Sequence, residues 1–100
     1  MLNIGTDLSG ATLTFNLEGV LDTKTSPDLV KALEDCFSDV DEIIFDFKNL
    51  EYITSAGLRA LLVAKQEMTK KGGEIAVKNV SRDVMTVFKD TGFAKLFNIK

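Results

Sequence analysis

The chain has no histidine, no tryptophan, a single cysteine (Cys36) and a single proline (Pro27) in 100 residues. Without histidine there is no imidazole to act as a general base near neutral pH and no His-assisted serine or cysteine nucleophile. Zinc sites of the usual kind are excluded too, and no clustered acidic loop of the calcium type is present. Neither a metal nor a cofactor is expected, and the chain does not read as an independent catalyst. One cysteine cannot close an internal disulfide, which suits a reducing cytoplasm. No apolar run is long enough to cross a bilayer. The start, Met1-Leu2-Asn3-Ile4-Gly5, lacks the basic flank of a signal peptide, so a cytoplasmic protein is expected. Basic residues are also in deficit: 12 Lys and Arg against 15 Asp and Glu give a net charge of −3. They lie scattered among acids, which argues against a nucleic-acid face.

What remains is a chain that is 45% apolar and 27% charged, fit for one domain over residues 1–100 that buries roughly 65% of its unfolded surface. No linker, repeat or low-complexity segment interrupts it. Residues 2–7 and 11–17 read as strands, the second alternating with Leu13, Phe15 and Leu17 on one face. Ser9-Gly10 between them is a hairpin turn signal. Ser26-Pro27-Asp28 predicts a helix start, with Ser26 as cap and Leu29, Val30, Leu33, Cys36 and Phe37 as its apolar stripe. Residues 43–47 form an apolar run expected as a central strand buried on both faces and ending near Phe47. A loop from Lys48 to Thr54 is expected next.

From about Ser55, the residues Leu58, Leu61, Leu62, Lys65 and Met68 recur at helical spacing until Gly72-Gly73. A short strand over 74–78 and a helix over 82–89, with Val84, Val87 and Phe88 inward, complete the pattern. The tail from Phe93 to Ile99 is expected as a short helix or an edge strand. The order β-β-α-β-α-β-α implies an α/β fold: a single mixed β-sheet with helices packed against it, parallel crossovers and an antiparallel opening hairpin. Nothing resembles a heptad seam or a long exposed apolar strand, so the chain alone is expected to be a monomer.

In such folds, sites gather beyond the carboxyl ends of the strands. That directs attention to Thr54-Ser55-Ala56-Gly57-Leu58, where strand gives way to helix. Locally, Ser55 reads as a helix N-cap. It also reads as a place for an anion, because unpaired N–H groups and the dipole favour negative charge there. Gly57 is expected to present bare backbone to an approaching partner. Arg59, one turn on, is either a solvated side chain or a phosphate contact. Asp22, before Thr23 and Ser26, reads as a loop hydrogen-bonding residue. Asp46, inside an apolar strand, is expected to bond N–H groups of the segment that follows. Cys36 reads as core, whereas Tyr52 and Ile53 fit either core or a contact patch.

In register along nearly the whole chain, these segments resemble the STAS domain of bacterial anti-sigma factor antagonists. Leu17-Glu18-Gly19-Val20-Leu21-Asp22 is similar to the family's Gly-x-Leu-Asp turn, and Phe45 to Leu50 to its central strand. Thr54 to Leu58 resembles the phosphorylation motif, usually Asp-Ser-Ser-Gly-Leu or Asp-Ser-Thr-Gly-Leu. Val84 to Phe97 resembles the closing helix and tail. Two departures stand out: Thr54 replaces the motif's aspartate, and Ala56 its second hydroxyl residue. The resemblance implies a partner-switching protein for transcription control. Its unphosphorylated form would bind an anti-sigma factor that is also a serine kinase, freeing the sigma factor. The kinase would phosphorylate Ser55, and a PP2C-type phosphatase would restore it. Asp22, Thr54, Ser55, Ala56, Gly57 and Arg59 would then form the kinase and partner surface. Two other classes remain: a STAS subunit of a transporter or different signalling complex without phospho-control, and a nucleotide- or small-anion-binding module.

Overall fold

The computed structural model describes residues 2–36 and 39–99. Five strands form one sheet in the order β1-β2-β3-β4-β5: β1 (Leu2–Ser9), β2 (Thr12–Leu21), β3 (Glu42–Ile53), β4 (Glu74–Lys78) and β5 (Asn98–Ile99). The first pair is antiparallel and every later pair parallel, which gives the mixed sheet expected. The helices are α1 (Ser26–Glu34), α2 (Ser55–Lys70) and α3 (Arg82–Thr91), followed by a short 3-10 turn at Phe93–Lys95. The tail therefore supplies both of its expected alternatives. The β1–β2 turn is Gly10-Ala11 rather than Ser9-Gly10, with Gly10 at φ 61° in the first central position, where a hairpin turn of type II′ demands glycine.

Both strands of the β2–β3 pair outrun their sequence-based limits. Strand β2 continues to Leu21, and β3 to Ile53, so the segment expected as a loop from Lys48 is strand. The pairing shows why the pattern concealed this. Asn16 lies opposite Asp46 but Glu18 opposite Asn49, and Gly19 lies opposite Leu50 but Val20 opposite Tyr52. Two bulges thus place the twelve residues of β3 against the ten of β2. Each bulge inserts one residue and shifts the alternation of faces. The buried positions accordingly run Ile43, Phe45, Phe47, then Leu50 and Ile53, with a spacing of two that becomes three.

The expectation that β3 is buried on both faces is also corrected. Ile43, Phe45 and Phe47 are buried, whereas Ile44 and Asp46 on the opposite face remain partly open. The buried face joins the inner sides of the helices in a single apolar core. Six phenylalanines run through it as a chain of rings, from Phe15 to Phe45, Phe47, Phe88, Phe97 and Phe93, with centroids 5.7–6.3 Å apart. These are ordinary separations for attractive aromatic pairs. Val84 and Phe88 anchor α3 there, with Val87 half-buried. Ser81 caps that helix, accepting from the Val84 N–H at 3.2 Å.

Helix α1 starts one residue earlier than the sequence suggests: Thr25, not Ser26, is the cap residue, and Pro27 sits in the first turn. Leu29 and Leu33 carry its packing, while Val30 and Cys36 are half-buried at the edge of the core. Phe37, also expected on this stripe, lies outside the described residues. On the open sheet face, Asp46 accepts from the Lys48 N–H at 3.0 Å, as expected, and from Asn79 Nδ2 at 2.9 Å. Burial pushes its carboxyl pKa up. The Asn79 amide, the Lys48 N–H and the Lys78 ammonium at 3.9 Å outweigh that and hold it below the ordinary value.

Candidate functional site

The carboxyl ends of β2 and β3 are level, with Leu21 opposite Ile53, and each strand passes directly into a connection to a helix. After β3 that connection is Thr54 alone. Its N–H donates to the Leu21 carbonyl at 3.0 Å, fastening the start of α2 to the end of β2. The contact at Gly57 is tighter still. A Cβ there would lie 2.7 Å from the Leu21 carbonyl oxygen and 2.8 Å from side-chain carbons of Leu21 and Ile53. Glycine is therefore needed for helix–strand approach. Gly57 is buried and faces the fold, which corrects the expectation that it offers bare backbone to a partner. The rest of α2 is rich in strong helix formers, with Leu58, Leu61, Ala64 and Met68 buried.

Helix α2 begins at Ser55, so the cap position belongs to Thr54, whose backbone is extended (φ −103°, ψ 176°). The local reading of Ser55 as the cap thus gives way to a shift of one residue. Thr54 nonetheless makes no side-chain cap bond. Its Oγ1 is buried and has no hydrogen-bond partner. Ser55 is the reverse: exposed at the first helical position, with no side-chain hydrogen bond among the described residues. The two neighbouring hydroxyls differ in accessibility, and only that of Ser55 is open to reagents from solvent. One prediction follows for Thr54→Val, which removes an unsatisfied buried hydroxyl but keeps the branched shape. Thermal unfolding should show no loss, and a gain of up to about 1 kcal/mol, where a working threonine cap would cost about 0.5–2 kcal/mol on removal.

Asp22 follows Leu21, which brings it to the same end of the sheet as Thr54 to Gly57. Its Oδ1 accepts from the Lys24 and Thr25 N–H groups, each at 3.0 Å, bearing out the loop-bonding reading. Donation from the Thr25 N–H is the leading cause that holds its carboxyl pKa below the ordinary value, against a smaller push from desolvation. Thr25 locks the loop in turn, accepting from the Asp22 N–H at 2.8 Å and donating to the Val20 carbonyl at 2.9 Å. The sequence reading missed Thr25 because a buried threonine in a polar stretch has no periodic signature.

Ser55 and Arg59 are four residues apart and share one side of α2. Arg59 is exposed and forms no ion pair among the described residues. It lines a groove of about 610 Å³ between α1 and α2, together with Pro27, Val30, Ala56, Ala60 and Val63. This groove also escaped the sequence reading, which followed the core stripe alone. A signal was present: Ala56, Ala60 and Val63 form a second apolar line at helical spacing, with Val63 37% exposed. Tyr52 is 48% exposed and Ile53 fully buried, which divides that pair between surface and core. Among the described residues no group of His, Cys, Asp or Glu is placed to hold a metal ion. No described helix is long and apolar enough to cross a membrane.

This fold has clear counterparts. The Anti-sigma F factor antagonist of Paenibacillus polymyxa is 29% identical over 89 residues, covering 87% of this chain and 76% of that protein. BtrV of Bordetella bronchiseptica, a candidate anti-sigma factor antagonist, is 29% identical over 87 residues, covering 83% of this chain and 72% of that protein. Among solved structures, the anti-sigma factor antagonist SpoIIAA superposes in its unphosphorylated form with a TM-score of 0.86 at 21% identity, over 98% of this chain and 88% of that one. Its phosphorylated form, from Bacillus, gives 0.79 at 20% identity, over 98% and 91%. The family model for the STAS domain matches residues 3–100. This chain belongs to the STAS domain family.

Proposed function

We propose that this protein is an anti-sigma factor antagonist controlled by phosphorylation of Ser55, and that it acts by binding rather than catalysis. The observation that carries the reading is the unemployed, exposed Ser55 hydroxyl at the first position of α2. A phosphate there adds about −1.5 to −2 charges. The helix N-terminus attracts them by about 0.3–1 kcal/mol, so the fold tolerates the modification. In the unphosphorylated form, the end of the sheet carrying Asp22, Thr54 and Ser55, with the adjoining groove at Ala56 and Arg59, takes an anti-sigma factor that is also a serine kinase. Asp22 contributes an ionised carboxylate whose Oδ1 is committed to the loop. Gly57 contributes by setting where α2 starts. Arg59 steadies the phosphate once it is added, and a PP2C-type phosphatase removes it. The protein works in the cytoplasm, where sigma factors do.

The test is phosphate mapping after incubation with Mg-ATP and the anti-sigma factor kinase of the same organism. One phosphate on Ser55, absent from Ser55→Ala and removed by a PP2C-type phosphatase, is the expected result. Stable binding with no phosphate transferred would sink phospho-control. Thr54 in place of the motif's aspartate favours a second reading of that kind, a STAS subunit that binds its partner constitutively.

A further inference from the structure

The sheet ends unequally. On one side β5 offers two residues, whereas β1 on the other side offers eight, paired only to β2. Long free edges invite pairing, and proteins normally blunt them with lysine, proline or a bulge. Strand β1 carries none of these: its register with β2 is unbroken from Leu2 to Ser9, and Asp7 is its single charge. Leu8 at its end is 62% exposed.

We propose that β1 is the docking edge for a second copy of this chain, joined as a two-fold antiparallel β1–β1 pair. The strand is complementary to itself. To keep the core face continuous across the pair, Leu2, Ile4, Thr6 and Leu8 must oppose one another, which restricts the register to steps of two. With Gly5 opposite Gly5 of the second copy, Leu2 lies opposite Leu8, so the exposed leucine gains an apolar cross-strand neighbour at each end. Asn3 then lies opposite Asp7. The Asn3 amide already donates one hydrogen to Glu18 Oε1 at 3.1 Å. Its second hydrogen is left for the carboxylate. Shifting by two residues sets Asp7 against Gly5 and forfeits that pair.

A strand edge alone buries less than a standard interface, so the dimer is concentration-dependent. Its two-fold axis runs through the sheet and directs the two Ser55 ends in opposite directions. The pairing is independent of the Ser55 reading, because it uses the outer edge of β1, whereas the helix-start site is built from the ends of β2 and β3 and the start of α2.

The experiment is sedimentation equilibrium from low micromolar to near-millimolar protein, with amide hydrogen exchange of residues 2–9 at both limits. Wild type should approach twice its monomer mass, with β1 amides exchanging more slowly at high concentration. Leu8→Lys alters a side chain that is mostly in solvent, so it should stay monomeric with an unchanged melting temperature. Monomer mass throughout would overturn the proposal, as would a dimer that Leu8→Lys leaves intact or one whose β1 amides gain no protection.

Discussion

Phe47→Ala is expected to lower the free energy of unfolding by about 3–5 kcal/mol, in the range of buried phenylalanine truncations. Phe47 is 1% exposed and joins two halves of the core, with its ring 6.3 Å from Phe45 in its own strand and 6.1 Å from Phe88 in α3. Removal loses the apolar area and both ring contacts, and the cavity lies where sheet and helix cannot both close in. Domains of this size are stable by about 5–15 kcal/mol, so roughly a fifth or more of the margin is lost. At about 4–8 °C per kcal/mol, the melting temperature should fall on the order of 20 °C. Urea unfolding checks this: the midpoint should fall with little change in slope. A loss below about 1 kcal/mol would show that the ring chain is loosely packed and that α3 is held by other contacts.

Ser55→Asp is expected to have the second large effect, on binding and not on folding. An aspartate at the first position of α2 meets unpaired N–H groups and the positive end of the dipole, so stability should hold or rise by up to about 1 kcal/mol. The same charge enclosed in an interface formed around a neutral hydroxyl is unmatched by the bound protein, and Arg59 on its own side offsets only part of its desolvation. Such a charge costs several kcal/mol, and each 1.4 kcal/mol is a factor of about ten in affinity. The affinity for the anti-sigma factor should therefore drop by about 100-fold or more, while Ser55→Ala stays within a few-fold of wild type. Titration calorimetry of the three proteins decides it. Equal affinities would place Ser55 outside the interface and leave the constitutive reading.

The fold was largely legible because its parts are regular where they are most buried. The alternation of Leu13, Phe15 and Leu17 and the helical stripe of Leu58, Leu61 and Met68 each mark one face of one element. What escaped has a common cause, the loss of period. From Phe47 onward β3 places its buried side chains three apart, a spacing that reads as loop. The exchange of roles between Thr54 and Ser55 is a shift of one residue between two good capping types, which propensity cannot resolve. Gly57 stands out in the sequence by position, but its missing side chain serves the Leu21 carbonyl beneath the helix and not an approaching partner.

The two bulges give β3 a sensitivity to length that its composition does not suggest. They bring Ile53 level with Leu21 although β3 has two more residues than β2, and the Thr54 N–H reaches the Leu21 carbonyl only from that position. Removing one residue between Phe47 and Tyr52 would turn Ile53 out of the core and bring Thr54 inward in its place, because adjacent strand positions face opposite ways. The reading frame of the segment is thus under tighter physical constraint than its letters. Exposed residues such as Lys48, Asn49 and Glu51 can be exchanged at little cost, but the segment cannot gain or lose a residue without moving Ser55 off its end of the sheet.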